Sequence, residues 1–233
     1  MNRHGWLSLT IFAALLASMI IGYRPTDGAE KTPFRERLSS VQSRPVSIAS
    51  LTPAFLMKDI PDVIQMNDSS CGVGVFQAAA MYFGHWGYQE EFARSLGTTP
   101  AQGTHPSRLV KGLQELGLDA RMVEHYSLEA MKEDLRQGRV VIIDYQAWGD
   151  TAGKDYSKEW EDGHYSILIG FNDQAIFIED PSLLGTRGYL TNEEFLTRWH
   201  DYEIENGKRR EYNQMAIIVK GREVRQPEFS HID

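Results

Sequence analysis

Residues 64–83 of this 233-residue chain read IQMNDSSCGVGVFQAAAMYF. Cys71 is the only cysteine of the chain, and the apolar residues behind it recur with the spacing of one face of a helix. The first turn of a helix carries unpaired N–H groups and the positive end of the helix dipole, and both stabilise a thiolate. The stretch therefore predicts a central helix that begins at Cys71 and carries a reactive thiol.

A second segment with catalytic residue types begins at His164. Two apolar runs, 164–171 and 175–179, flank a short polar turn at residues 172–173, which predicts a two-stranded hairpin. A hairpin brings its outer ends together, so His164 and Asp180 should be neighbours although sixteen positions separate them. A thiol, an imidazole and a carboxylate can then form one site.

Each of these residue types has a role in nucleophilic catalysis. His164 would take the proton of Cys71 and later protonate a leaving amine, while Asp180 would orient the imidazole and stabilise its charged form. The side-chain amide of Gln65 and the backbone N–H of Cys71 would donate to the oxyanion of a tetrahedral intermediate. Each such donor is commonly worth roughly 2.7 to 4 kcal/mol.

The order of these residues resembles that of papain-like cysteine peptidases, and most closely the bacterial double-glycine leader peptidases of bacteriocin exporters. The resemblance covers roughly residues 61–220, and the matching positions are Gln65, Cys71, Gly72, His164, Tyr165, Asp180 and Pro181. It implies a papain-like fold and cysteine peptidase activity. It also implies that Cys71 is the nucleophile, His164 the base, Asp180 the third member of the triad and Gln65 the oxyanion donor. The substrate would be a peptide or a protein.

The rest of the chain is typical of helices followed by strands. The patterns predict helices at about 71–85, 105–117, 127–138 and 192–200, and strands at 139–145, 164–171, 175–179 and 214–219. This order favours an α+β fold in which the nucleophile helix packs on an antiparallel sheet.

Composition excludes several classes of protein. The net charge of −8 argues against nucleic-acid binding, which needs concentrated basic surface. A single cysteine excludes an intramolecular disulfide and a thiolate metal cluster, and the histidines show no metal-ligand spacing. Neither a metal nor another cofactor is therefore expected.

The extreme N-terminus predicts export. Arg3 precedes an uncharged run at residues 5–23, and a polar, proline-containing stretch follows. Cleavage of the apolar segment and its retention as a membrane anchor are both open, because its length is just short of a bilayer core. The protein should act in the periplasm, outside the cell, or on the outer side of a membrane.

The predicted segments are a signal peptide or membrane anchor (1–23), a polar linker (24–52), a papain-like domain (53–221) and a C-terminal tail (222–233).

Three functions are open at the predicted site. A peptidase and an acyltransferase, such as a transpeptidase or an amidase, share the same nucleophile geometry. A non-catalytic peptide-binding module of the same fold is the third, although binding alone does not require all four residues. The aromatic loop at 146–162, directly before His164, fits either a substrate rim or a loop whose tryptophans pack it down.

Overall fold

The computed structural model describes residues 52–149, 153–183, 185–205, 207–222 and 224. The predicted signal or anchor lies outside these residues, as do nearly all of the predicted linker and most of the predicted tail. Their assignments stay predictions. None of the helices in the described part of the chain combines the length and the apolar character needed to cross a membrane.

The elements confirm the α+β class. Most of the helices precede the central strands, as the sequence predicts. In chain order the elements are β1 (Phe55–Leu56), α1 (Cys71–Tyr82), α2 (Gln89–Leu96), α3 (Pro106–Glu115), β2 (Asp119–Val123), α4 (Leu128–Arg136), β3 (Val140–Gln146), β4 (Gly163–Phe171), β5 (Ala175–Glu179), β6 (Gly188–Thr191), α5 (Asn192–Arg198), β7 (His200–Glu205), β8 (Lys208–Asn213) and β9 (Ala216–Lys220).

The central sheet is antiparallel and has β3 and β4 in its middle. Its strands follow the order β2-β9-β3-β4-β5-β6, and β1 pairs with the end of β4. Every residue of β3 and all but the first residue of β4 are buried. Both faces of these strands are covered, which explains why they read as continuous apolar runs rather than as an alternating pattern. β7 and β8 form a separate hairpin.

The nucleophile helix α1 packs closely on the sheet because its residues are small. Most of its side chains are buried, and it lies against β4. A Cβ atom added to Gly74 would lie 2.8 Å from the Cβ of Pro181, and one added to Gly72 would lie 2.7 Å from the Cβ of Thr104. The two glycines therefore let the first turn of α1 approach the segments that border the site.

One predicted boundary is wrong. The helix predicted at 192–200 ends at Arg198, and His200 instead begins β7, where it pairs with Asn213. His200 forms a strand rather than a further helical residue because the side chain of Trp199 is buried in the core and its indole N–H donates to the carbonyl of Met215 at 2.7 Å. This contact turns the chain out of the helix and toward β8.

Candidate active site

Cys71 occupies the first helical position of α1 and is half-buried. The preceding Ser70 is fully buried, and its hydroxyl donates to the carbonyl of Asn67 at 2.8 Å instead of capping the helix. The first turn contains no acidic residue. The N–H groups and the positive dipole end of this turn are therefore left for the thiol and for a bound substrate.

His164 lies between Cys71 and Asp180. The Nε2–H of its ring donates to Oδ1 of Asp180 at 2.9 Å, and Cys71 lies close enough to the ring to raise its pKa. Because Nε2 is occupied, Nδ1 is the ring nitrogen left for the sulfur. The antiparallel pairing of β4 and β5, with Ile167 opposite Glu179, places Asp180 near the start of β4. The structure thus brings the three predicted residues together through the predicted hairpin.

Five donors surround the buried carboxylate of Asp180. They are the Nε2–H of His164 at 2.9 Å and the backbone N–H of Ser182 at 2.8 Å on Oδ1, and the hydroxyl of Tyr145 at 3.2 Å, the indole N–H of Trp148 at 3.1 Å and the hydroxyl of Ser166 at 3.1 Å on Oδ2. Burial alone would raise the pKa of Asp180, but the charge of His164 and these donors hold it below its ordinary value. The carboxylate therefore stays ionised.

The imidazole of His164 is held in its charged form. Burial alone would lower the pKa of His164, but the charge and hydrogen bond of Asp180, and then those of Cys71, raise it to about 10. At neutral pH the ring is an imidazolium between a carboxylate and the sulfur.

Gln65 lies beside the first turn of α1, with its Cα 3.8 Å from the place that a Cβ on Gly74 would take. Its amide is fixed at both ends: Oε1 accepts from the hydroxyl of Ser182 at 2.9 Å, and Nε2 donates to the carbonyl of Asn67 at 2.7 Å. The backbone N–H of Gln65 donates to the carbonyl of Pro181 at 2.9 Å. The segment that carries Asp180 therefore also positions Gln65.

A clamp on the neighbouring Glu179 strengthens this attachment. The buried carboxylate of Glu179 accepts from the backbone N–H of Val63 at 2.9 Å and pairs with Arg187. Arg187 in turn donates to the carbonyl of Ile60 at 2.7 Å. The chain leading to Gln65 is thus bound to the end of β5 at several points.

Four residues that orient the site are not identified by the sequence: Tyr145, Trp148, Ser166 and Ser182. A signal exists for Ser166, because residues two apart in a strand share a face and His164 is two positions before it. Nothing in the sequence indicates the role of Trp148, whose backbone has a φ of 61°, in the left-handed region that bulky residues rarely adopt. Trp148 bonds to Asp180, and the ring of Trp160 lies 4.4 Å from that of His200, so both tryptophans pack the loop down.

Comparisons with known proteins give a family match and similar folds. The model of the peptidase C39 family matches residues 59–211, which is more than half of the chain. A C39-like peptidase from Bacillus anthracis has a similar structure, with a TM-score of 0.56 and 18% identity, over 73% of this chain and 98% of that one. A comparison with curated proteins gives no match.

Two further solved structures share the fold. The peptidase domain of Streptococcus ComA, a bifunctional ABC transporter involved in quorum sensing, has a TM-score of 0.50 and 19% identity over 69% of this chain and 97% of that one. A double-glycine motif protease from an AMS/PCAT transporter, in complex with its leader peptide, has a TM-score of 0.50 and 19% identity over 78% of this chain and all of that one. The family match, together with the fold shared with these peptidases, shows that this chain belongs to the peptidase C39 family and is a cysteine peptidase.

Proposed function

We propose that the protein hydrolyses peptide bonds through an acyl-enzyme on Cys71, with His164 as acid and base, Asp180 as the orienting carboxylate and Gln65 as an oxyanion donor. The observation that carries the proposal is the position of the His164 ring, which bonds to Asp180 at 2.9 Å and lies close enough to Cys71 for the two groups to interact. The substrate is a peptide or a protein. A structural neighbour bound to a leader peptide supports this substrate class.

Acylation begins with the thiolate of Cys71. The sulfur attacks the scissile carbonyl carbon, a C–S bond forms, and the carbonyl electron pair moves onto the oxygen. The oxyanion accepts from the backbone N–H of Cys71 and from the amide of Gln65, which has a second N–H besides the one bound to Asn67. His164 then donates its proton to the leaving amine as the C–N bond breaks.

Deacylation reverses the roles of the imidazole. The neutral ring of His164 takes a proton from water as the water oxygen attacks the thioester carbonyl. The C–S bond breaks, the acid product leaves, and the thiolate–imidazolium pair is restored. Asp180 stays ionised throughout, because four donors other than His164 favour the carboxylate form even while the ring is neutral.

The test separates thiol reactivity from oxyanion stabilisation. We expect iodoacetamide to alkylate Cys71 at similar rates in the native chain and in Gln65→Ala, because displacement of iodide forms no oxyanion. Hydrolysis of a quenched fluorescent peptide library by Gln65→Ala should fall in kcat by about 10²- to 10³-fold. Ser182→Ala should lose less, about tenfold, because it frees the Gln65 amide without removing it.

Two observations would contradict the proposal. Mass spectrometry locates the alkylated residue without ambiguity, since the chain has a single cysteine. No alkylation of Cys71 would argue against the thiolate, and normal hydrolysis by Gln65→Ala would argue against the oxyanion role. Ser95→Ala is the matched control, because the exposed hydroxyl of Ser95 bonds only to its own helix, at Phe92.

We propose that the protein acts outside the cytoplasm, a location supported by the basic and then uncharged N-terminal sequence at residues 1–23. Alkaline phosphatase fused after Lys220 should be active in intact bacterial cells, because that reporter enzyme matures only in an oxidising compartment. Deletion of residues 1–23 from the same fusion should silence it. An inactive but well-expressed full-length fusion would contradict export.

A further inference from the structure

Three acidic side chains from β3 and β7 lie together near the nucleophile, namely Asp144, Asp201 and Glu203, here called the acidic cluster. Gln146 ties the two strands together, because its Nε2 donates to Oδ1 of Asp201 at 2.9 Å and to the carbonyl of His200 at 3.0 Å. Asp144 is only 1% exposed, and neither of its carboxyl oxygens has a hydrogen-bond donor among the described residues. Its carboxyl group lies against that of Asp201, and two carboxyl groups can share a hydrogen bond only if one of them is protonated.

The hydroxyl of Tyr165 is buried at the same place. Tyr165 is the direct partner of Asp144 across β4 and β3, so the two side chains share a face of the sheet. The residue is 5% exposed, and in the described part of the chain its hydroxyl has no hydrogen-bond partner. Its ring carbon Cδ2 lies 3.4 Å from the place that a Cβ on Gly72 would take, directly behind Cys71. Buried polar groups without hydrogen-bond partners are destabilising, which points to a ligand that supplies the missing partners.

The electrostatic environment of the acidic cluster disfavours negative charge, although the nearby His200 acts in the opposite direction on the pKa of Asp201. Burial, followed by the charges of Asp201 and Glu205, raises the pKa of Glu203 to about 8. Burial, followed by Asp201, Glu203 and Cys71, raises the pKa of Asp144 well above its ordinary value. Within the described ranges, no lysine or arginine pairs with the three carboxyl groups. The arginine opposite Glu203 in the hairpin, Arg210, is bound to Glu124 and Glu205 instead.

A groove of about 540 Å³ has Glu203 of the acidic cluster in its lining. Gly103 also lines it. The next residue, Thr104, has its Cβ 2.7 Å from the place that a Cβ on Gly72 would take, so the lining is adjacent in sequence to a residue that contacts the first turn of α1. Arg108, which is exposed, and His105 line it as well. Burial lowers the pKa of His105 despite its contact with Glu205, so this ring adds no charge at neutral pH.

We propose that the acidic cluster and this groove form a substrate subsite for the ammonium or guanidinium group of a lysine or arginine side chain. A peptide whose backbone lies at Cys71 could extend such a side chain along the groove to Glu203. A bound cation would let the carboxyl groups ionise, and Tyr165 could then donate to Asp144. A metal ion is the poorer fit, because no three His, Cys, Asp or Glu side chains of the described residues converge closely enough to hold one.

This inference rests on the proposed function, since it assigns a specificity to the same site. The test uses N-acetyl-dipeptidyl chloromethyl ketones, from which the thiolate displaces chloride to form a thioether. Two matched pairs carry lysine or norleucine at the first or the second residue from the ketone, with glycine at the other position. The second-order rate of Cys71 alkylation is measured on the full chain by mass spectrometry, with iodoacetamide as the uncharged reference.

In at least one pair we expect the lysine probe to react about tenfold faster than the norleucine probe, the effect of one partly desolvated charge pair. Glu203→Gln and Asp201→Asn should remove this preference, measured on each variant as the ratio of the lysine rate to the norleucine rate. Glu211→Gln is the matched control. Glu211 is exposed on β8 and pairs with Arg209, so the preference should survive its replacement.

The outcomes separate the subsite from the proposed function. Equal rates for lysine and norleucine in both pairs on the native chain would overturn the subsite, whatever the variants do. A lysine preference that survives Glu203→Gln and Asp201→Asn would overturn it as well. In both cases the probes still label Cys71, so the proposed function stands. If neither iodoacetamide nor any ketone labels Cys71, the proposed function fails and the subsite fails with it.

Discussion

Cys71→Ala should abolish peptide hydrolysis while leaving the fold intact. Removing the nucleophile of a well-studied triad peptidase lowers kcat by about 10⁶-fold, and no second cysteine exists to replace the thiol. The fold should tolerate the change because Cys71 is half-buried in the first turn of α1, where alanine is a good helix former. The expected loss in the free energy of unfolding is below about 1 kcal/mol.

Two measurements check this prediction together. Circular dichroism and thermal melting should be nearly unchanged in Cys71→Ala, whereas hydrolysis of the peptide library should disappear. Cys71→Ser is the sterically closer variant, and it should also be inactive because a hydroxyl is far harder to ionise than a thiol. Hydrolysis by purified Cys71→Ala above the background rate would contradict a thiol mechanism.

The sequence predicts the centre of this fold because short-range physics decides it. The helix at Cys71 combines a helical spacing of apolar residues with a clear N-terminus. The hairpin between His164 and Asp180 combines two apolar runs with a polar turn. The strands β3, β4, β5 and β9 could be predicted for the same reason, since all their residues are buried except the first of β4 and the last of β9. Since the hairpin alone brings His164 close to Asp180, most of the catalytic geometry follows from local pattern.

The peripheral elements could not be predicted in the same way. β8 reads KRREYN, and only Tyr212 of this strand is buried, so no apolar alternation marks it. Its strand conformation comes from pairing with β7, whose first residue, His200, the sequence assigns to the preceding helix. The short helix α2 buries only Leu96 and is likewise weak as a pattern. Tertiary contacts determine the conformation of these segments, and a short window of sequence contains no information about such contacts.

The residues that orient the site also differ in whether the local sequence predicts them. Ser166 follows from strand alternation beside His164, but the donors Tyr145 and Trp148 reach Asp180 from 35 and 32 positions away. The acidic cluster is equally hidden, because Asp144 interrupts an apolar run on β3 and meets Asp201 only through the packing of β7 on β3. Long-range contacts of this kind require the fold.

The second large effect is expected at His164 and Asp180. His164→Ala should lower kcat nearly as much as the loss of Cys71, by about 10⁶-fold, whereas Asp180→Asn should lower it less, by about 10⁴-fold. The difference arises because the base transfers protons in both half-reactions, while the carboxylate orients and charges the base. His85→Ala and Asp119→Asn are the matched controls, since His85 follows the end of α1 that is opposite to Cys71 and Asp119 lies on the edge strand β2.

The pH profile distinguishes orientation from simple damage to the fold. In the native chain, activity should fall in acid as the Cys71–His164 pair becomes fully protonated, and fall again in alkali as His164 loses its proton near its pKa of about 10. Asp180→Asn removes the charge that raises this pKa while burial continues to lower it, so the alkaline limb should move to lower pH. We expect kcat/KM measured across pH to show this shift in Asp180→Asn and not in Asp119→Asn. An unmoved alkaline limb in a folded Asp180→Asn protein, or a near-native rate in His164→Ala, would mean that another group acts as the base.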